Sequence, residues 1–129
     1  MTDYVALWHR DVNERMVAPL KQSGELTAVH ETQLRTMGDY TKVDFAVEPA
    51  EKFEVVENPE DPQHGSLGYP IEFVLGFLDV MMTSDYFPRN IRLRLIRLHR
   101  DPDRTTQWSI HSAGRIAAEI VRKSKSQQL

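Results

Sequence analysis

Apolar residues keep two different periods over the first fifty positions. From Asp3 onward Val5, Trp8, Val12 and Met16 recur at steps of three and four with polar residues between them, the spacing of one face of an α-helix. Thr2 or Asp3 can cap the first turn. Pro19 removes a backbone donor and Ser23–Gly24 favours a terminal turn, so the helix ends there. The step then changes to two. Apolar and polar residues alternate in ELTAVHETQLR (25–35) and YTKVDFAVEP (40–49), with Val43, Phe45 and Val47 on one side and Lys42, Asp44 and Ala46 on the other. Between them TMGDY (36–40) has turn composition, Gly38 and Asp39 supplying the permissive backbone. A β-hairpin is predicted.

KFEVVE (52–57) reads as a third strand, and NPEDPQHGSLG (58–68), with two prolines, two glycines and no periodicity, as a mobile loop. Pro70 suits a first helical position and opens PIEFVLGFLDVMM. Phe73, Val74, Phe77, Leu78 and Met81 share one face of this helix, and Ile71, Leu75 and Met82 widen it, so burial over most of its girth is expected. Gly76 costs about 1 kcal/mol of helix propensity relative to alanine. Close approach to a strand is the expected reason for it. A strand from Ile91, a turn at RDPDR (100–104), a strand TTQWSI (105–110) and a last helix from His111 with Ala113, Ile116, Ala117 and Ile120 inward complete the chain. The order α β β β α β β α implies an α+β fold, a two-layer sandwich of a mostly antiparallel sheet with helices on one face.

NIRLRLIRLHRD (90–101) decides between two classes of function. As a helix it scatters its apolar residues around the wheel. As a strand it places Ile91, Leu93 and Leu95 opposite Arg92 and Arg94, then slips phase, since Ile96 and Leu98 share the parity of the arginines. A β-bulge at Leu95–Ile96 restores the alternation and sets Arg92, Arg94, Arg97 and His99 on one solvent face. Such a stripe could follow phosphates. It could equally be the polar face that any one-sided sheet requires.

Charge makes the same choice sharper. Residues 1–88 hold six Lys and Arg against sixteen Asp and Glu, and residues 89–129 hold ten against three, so an acidic first part precedes a basic last part. Either the basic part is a binding face, or the two parts pack and neutralise each other. The absence of cysteine excludes disulfides, thiolate nucleophiles and Cys-containing metal sites. No apolar run of signal-peptide or membrane-span length occurs, and a cytoplasmic protein without membrane contact is expected.

Catalytic motifs are weak. Neither phosphate-cradling glycine pattern is present, so no nucleotide is expected. HETQL at His30 begins like a zinc-protease helix but lacks the second histidine, and the remaining histidines, His9, His64, His99 and His111, show no metal-ligand spacing. Ser109, His111 and Ser112 cluster in sequence without an evident carboxylate partner, and helix capping accounts for the serines more simply. Glu72 and Asp79 could act as an acid/base pair only in a cleft formed with another element. No catalytic residue, metal or cofactor is therefore assigned.

Read in order, several segments resemble domain IV of translation elongation factor G. They are VHET (29–32), VDFAVEP (43–49), KFEV (52–55), GFLDVM (76–81), FP (87–88), IRLRLIRLH (91–99) and RIAAE (115–119), within a resemblance that extends over residues 27–123. The resemblance implies the same α+β sandwich with a left-handed βαβ crossover, in residues 25–129; the N-terminal helical extension in residues 1–24, read from its periodicity, lies outside it. In the parent factor this domain reaches the ribosomal decoding region through its tip loops. Here the tip, Gly38, Asp39 and Tyr40, is shorter and acidic where the family has glycine and basic residues. The family's Asp-Ser-Ser before the last helix falls near Trp108–Ile110 and is not kept.

Two expectations follow for a non-catalytic, stand-alone protein of this kind. One is association with the ribosome or rRNA through Arg92, Arg94 and Arg97, with Arg100, Arg104 and Arg122 at the periphery. The other is docking of a protein partner, or of a second copy, through the acidic part or the N-terminal helix.

Overall fold

The computed structural model describes residues 3–5, 24–31, 38–83 and 90–126. Most of the helix expected within residues 1–24, the first residues of the tip turn and the 84–89 connection lie outside the described residues.

Strands β1 (Gly24–Glu31) and β2 (Tyr40–Pro49) form the predicted antiparallel hairpin, with Leu26 opposite Phe45 and Glu31 opposite Tyr40. Their alternation is what fixes this register, because a one-residue slip would turn Val43, Phe45 and Val47 into water. β2 also pairs antiparallel with β4 (Ile91–Arg100), and β4 pairs in parallel with the short β3 (Glu54–Val56), giving the sheet order β1-β2-β4-β3. Parallel neighbours need a crossover, and helix α1 (Ile71–Thr83) lies between β3 and β4 in the chain. Helix α2 (Gln107–Ser126) closes the fold.

The bulge in β4 is present. Arg97 stands opposite Asp44 and Leu95 opposite Phe45, leaving Ile96 as the extra residue. Ile91, Leu93, Leu95 and Leu98 are consequently all buried, although their spacing in sequence breaks the period of two. They meet Ala28, Val43, Phe45 and Val47 of the hairpin, Phe73, Phe77, Val80 and Met81 of α1, and Ile110, Ala113, Ala117 and Val121 of α2 in one core.

Four local expectations are corrected. TTQWSI is not a fifth strand: Thr106 caps α2, its hydroxyl accepting from the Ser109 amide at 3.0 Å while its own amide donates to the Ser109 hydroxyl at 2.8 Å. This reciprocal cap outweighs the strand propensity of Thr and Trp and starts the helix at Gln107. Ser109 is therefore part of a cap, and its buried hydroxyl also shares a 2.5 Å hydrogen bond with Thr41 on β2.

Gly76 does not face a strand or water. It is buried against α2, where a Cβ would stand 1.9 Å from the His111 carbonyl oxygen; reciprocally, a Cβ at Gly114 would stand 2.0 Å from that of Phe73. The two glycines let the helix backbones touch.

α1 is not buried around its girth, since Ile71, Leu75 and Met82 are exposed. Nor does the 58–68 loop hang free. Asn58 donates from its side chain to the Ile96 carbonyl at 2.8 Å, and buried Asp61 accepts from the Leu98 amide at 2.9 Å. Their side chains satisfy the edge of β4 beyond the point where β3 ends.

Candidate functional site

The arginine face forms as the periodicity predicts, and the pairing that creates it also fills it with acids. Cross-strand register sets Glu48 of β2 and Glu54 of β3 on either side of Arg92. The Arg92 guanidinium donates to Glu54 at 3.0 Å and to Glu48 at 3.1 Å, and Arg94 donates to the same Glu48 at 2.7 Å. Further along the ladder, His99 lies 2.7 Å from Asp44, which also accepts from Thr27 at 2.9 Å.

The titration of these groups follows. The hydrogen bond from Arg92, with the charges of Arg94 and Arg92, holds the Glu48 carboxyl below its ordinary value against a smaller desolvation cost. Partial burial pushes Asp44 up, but hydrogen bonds from His99 and Thr27 and the nearby charges of His99 and Lys42 together hold it below the usual carboxylate range. The same bonds to Glu48 and Glu54 raise the already high Arg92. Exposed ion pairs of this kind add little stability, because water screens them. Their consequence is electrostatic: a phosphate approaching Arg92 or Arg94 meets a carboxylate already paired with it.

Of the remaining arginines, Arg97, opposite Asp44, continues this stripe, whereas Arg100, Arg104 and Arg122 lie off it. Arg97 and Arg100 are exposed and form no ion pair among the described residues. Arg104 serves the tip, donating to the Gly38 carbonyl at 2.7 Å and to the Asp39 carbonyl at 3.4 Å, approaching Glu31 at 3.4 Å, and lying over the Tyr40 ring. It fixes the backbone of Gly38, Asp39 and Tyr40. Arg122 sits on α2 in an i,i+3 pair with Glu119.

The acid/base candidates do come together. Glu72 and Asp79, two turns apart on α1, flank His111 of α2, with carboxylate oxygens 3.3 Å from Nδ1 and 2.6 Å from Nε2. Gln107 donates to the other Glu72 oxygen at 3.3 Å. The cluster straddles the glycine contact and ties α1 to α2. His30 lies on β1 as predicted, its ring edge-on to Trp108 at 5.0 Å. Among the described residues no group of three or more His, Asp or Glu could hold a metal ion, and no helix is long and apolar enough to cross a membrane.

The feature that the sequence reading misplaced lies on the far side of α1. Ile71, Leu75 and Met82 are 66%, 45% and 71% exposed, and with half-buried Leu78 they repeat at steps of four, three and four along the outer face. Beside them Val55, Glu57, Pro70, Ile71, Val74 and Leu75 line a groove of about 240 Å³ between α1 and β3. Val56 adds exposed apolar surface at the rim. The four-three-four spacing was visible in the sequence; which side of an almost wholly apolar helix would face out was not.

No family model matches this sequence, and no curated protein matches it. Among solved structures, the crystal structure of a protein from Thermus thermophilus is similar, with a TM-score of 0.68 at 13% identity over 82% of this chain. The chain spans 16% of that protein's length. At this identity the likeness is one of fold, an α+β sandwich of the kind that the resemblance to elongation factor G domain IV implies.

Proposed function

We propose that this chain is a non-catalytic protein-interaction domain built on the elongation factor G domain IV-like fold, and that the outer side of α1 is its docking surface. The observation that carries this reading is the exposed apolar stripe of Ile71, Leu75 and Met82. Contiguous apolar surface of this kind on a soluble domain marks an interaction site more often than a neutral surface. The arginine face supports it from the other direction, because Glu48 already pairs with both Arg92 and Arg94, and Glu54 with Arg92.

Association with the ribosome or RNA is the second reading. It rests on Arg97 and Arg100, exposed and without an ion pair among the described residues, and on the resemblance to a domain that works on the ribosome.

The two readings separate by salt. Complexes held by the apolar stripe should survive a rise in salt and be lost in a Leu75→Asp/Met82→Asp variant, whose changed positions are exposed and so leave the fold intact. Cross-linking of cell extract followed by sizing of the full chain reads this directly. A complex that dissolves with salt, persists in the double variant and vanishes when Arg97 and Arg100 become glutamine would support the RNA reading instead.

A further inference from the structure

Resting on the protein-interaction reading, we infer that the groove between α1 and the open edge of β3 receives an extended, apolar segment of a basic partner as an added strand. Among the described residues β3 pairs on one side only, with β4. An edge strand so placed offers unpaired backbone donors and acceptors to another chain. The offer is short: above β3 the edge of β4 is already satisfied by the side chains of Asn58 and Asp61, so on this side of the sheet Glu54–Val56 alone is open among the described residues.

Register then assigns the faces of the added strand. Val55 stands opposite buried Leu93 and lines the groove, whereas Glu54 and Val56 stand opposite Arg92 and Arg94 on the solvent face. Alternate side chains of the incoming segment would therefore drop between Val55 and the Ile71–Val74–Leu75 surface of α1, which gives the usual specificity of strand addition. The groove, about 240 Å³, is smaller than the roughly 300–1,000 Å³ typical of sites for small molecules, and suits individual side chains.

Charge selects the partner. Around β3 the exposed carboxylates Glu51, Glu57 and Glu60, of which Glu57 lines the groove, outnumber one lysine, Lys52. A second copy pairing through this same edge would bring these acids against themselves, and like charges juxtaposed at an interface oppose association. A segment with apolar residues at alternate positions and basic flanks is complementary to it.

A displayed library of random linear decapeptides, selected on the full chain, tests this. Enriched peptides should alternate apolar and basic residues and shift the amides of β3 and of the first turns of α1. They should also slow hydrogen exchange at one or more amides of Glu54–Glu57 and bind at least about tenfold more weakly to Leu75→Asp, the loss expected when one buried leucine contact is removed. Peptides with helical periodicity that shift α1 without protecting β3 would overturn strand addition while leaving the docking surface in place. Peptides that map to Arg97 and Arg100, or no enrichment at all, would overturn both. Concentration-dependent shifts of the same residues in the protein alone would identify a second copy as the occupant and overturn the basic partner.

Discussion

Gly76→Ala is the substitution whose cost can be worked most fully from the structure. The new methyl would start 1.9 Å from the His111 carbonyl oxygen and must move beyond 3.0 Å, so α1 and α2 must part by about 1 Å. A gap of that size forfeits roughly a quarter to a half of the dispersion energy between facing atoms, and the atoms concerned include the core contacts of Phe73, Phe77, Ile110, Ala113 and Ala117. The obstacle is backbone and cannot rotate aside, which places the cost at about 3 kcal/mol, the upper end for overpacking. Alanine returns about 1 kcal/mol of helix propensity. A net loss of about 2 kcal/mol follows, and for a domain of this size it lowers the melting temperature by roughly 8 °C. Urea unfolding should show a lower midpoint with an unchanged slope. Gly114→Ala should behave alike, and the double variant should lose less than the sum, because helices already parted by one methyl leave room for the other. A Gly76→Ala protein as stable as the parent, or more so, would refute the reasoning, since the propensity gain would then be the only term left.

Other expectations follow from single contacts. Asp61→Ala should destabilise by about 1–3 kcal/mol by leaving the buried Leu98 amide without an acceptor, and Asp61→Asn, which keeps an oxygen there, by less; urea unfolding and the exchange rate of the Leu98 amide read both. Asp44 and Glu48 have lowered values in the folded chain. Their contribution to stability is therefore fully present above the ordinary carboxylate range and lost as pH falls through the folded values, below about pH 4. Stability measured against pH should fall there, and Glu48→Gln should flatten the fall. Glu48→Gln combined with Glu54→Gln frees Arg92 and Arg94. RNA affinity in fluorescence anisotropy at low salt should rise, with a slope against log salt steeper by about 0.9 for each phosphate gained. An unchanged slope would mean that those carboxylates do not mask the arginines.

Much of this was legible wherever a single period governs the residues. The hairpin followed from strict alternation, and the bulge in β4 followed from one break in that alternation, because a sheet with one buried face leaves no other way to keep both Leu95 and Leu98 inside. The charge balance of the arginine face was half legible. The basic stripe was visible, but Glu48 and Glu54 could be set beside Arg92 only once the order β2-β4-β3 was known, since opposition across strands is a property of topology. At Thr105–Ile110 two local signals competed, and the alternation of Trp108 and Ile110 concealed the Thr-x-x-Ser cap that starts α2. On α1 the pattern itself was uninformative: a helix apolar nearly all round has no polar face to mark its outside. The exposure of Ile71, Leu75 and Met82 thus depends on where α2 and the sheet end. The same tertiary dependence explains Gly76, whose value as a contact point required the helix that approaches it.

The central claim, that α1 and not the arginine face meets the partner, is tested most directly by placing a photoreactive residue in the full chain at Leu75 or at Arg97 and irradiating cells. The account predicts a discrete protein adduct from position 75, lost when Met82 is also changed to Asp, and none of comparable yield from position 97. RNA adducts from position 97 with no adduct from position 75 would contradict it.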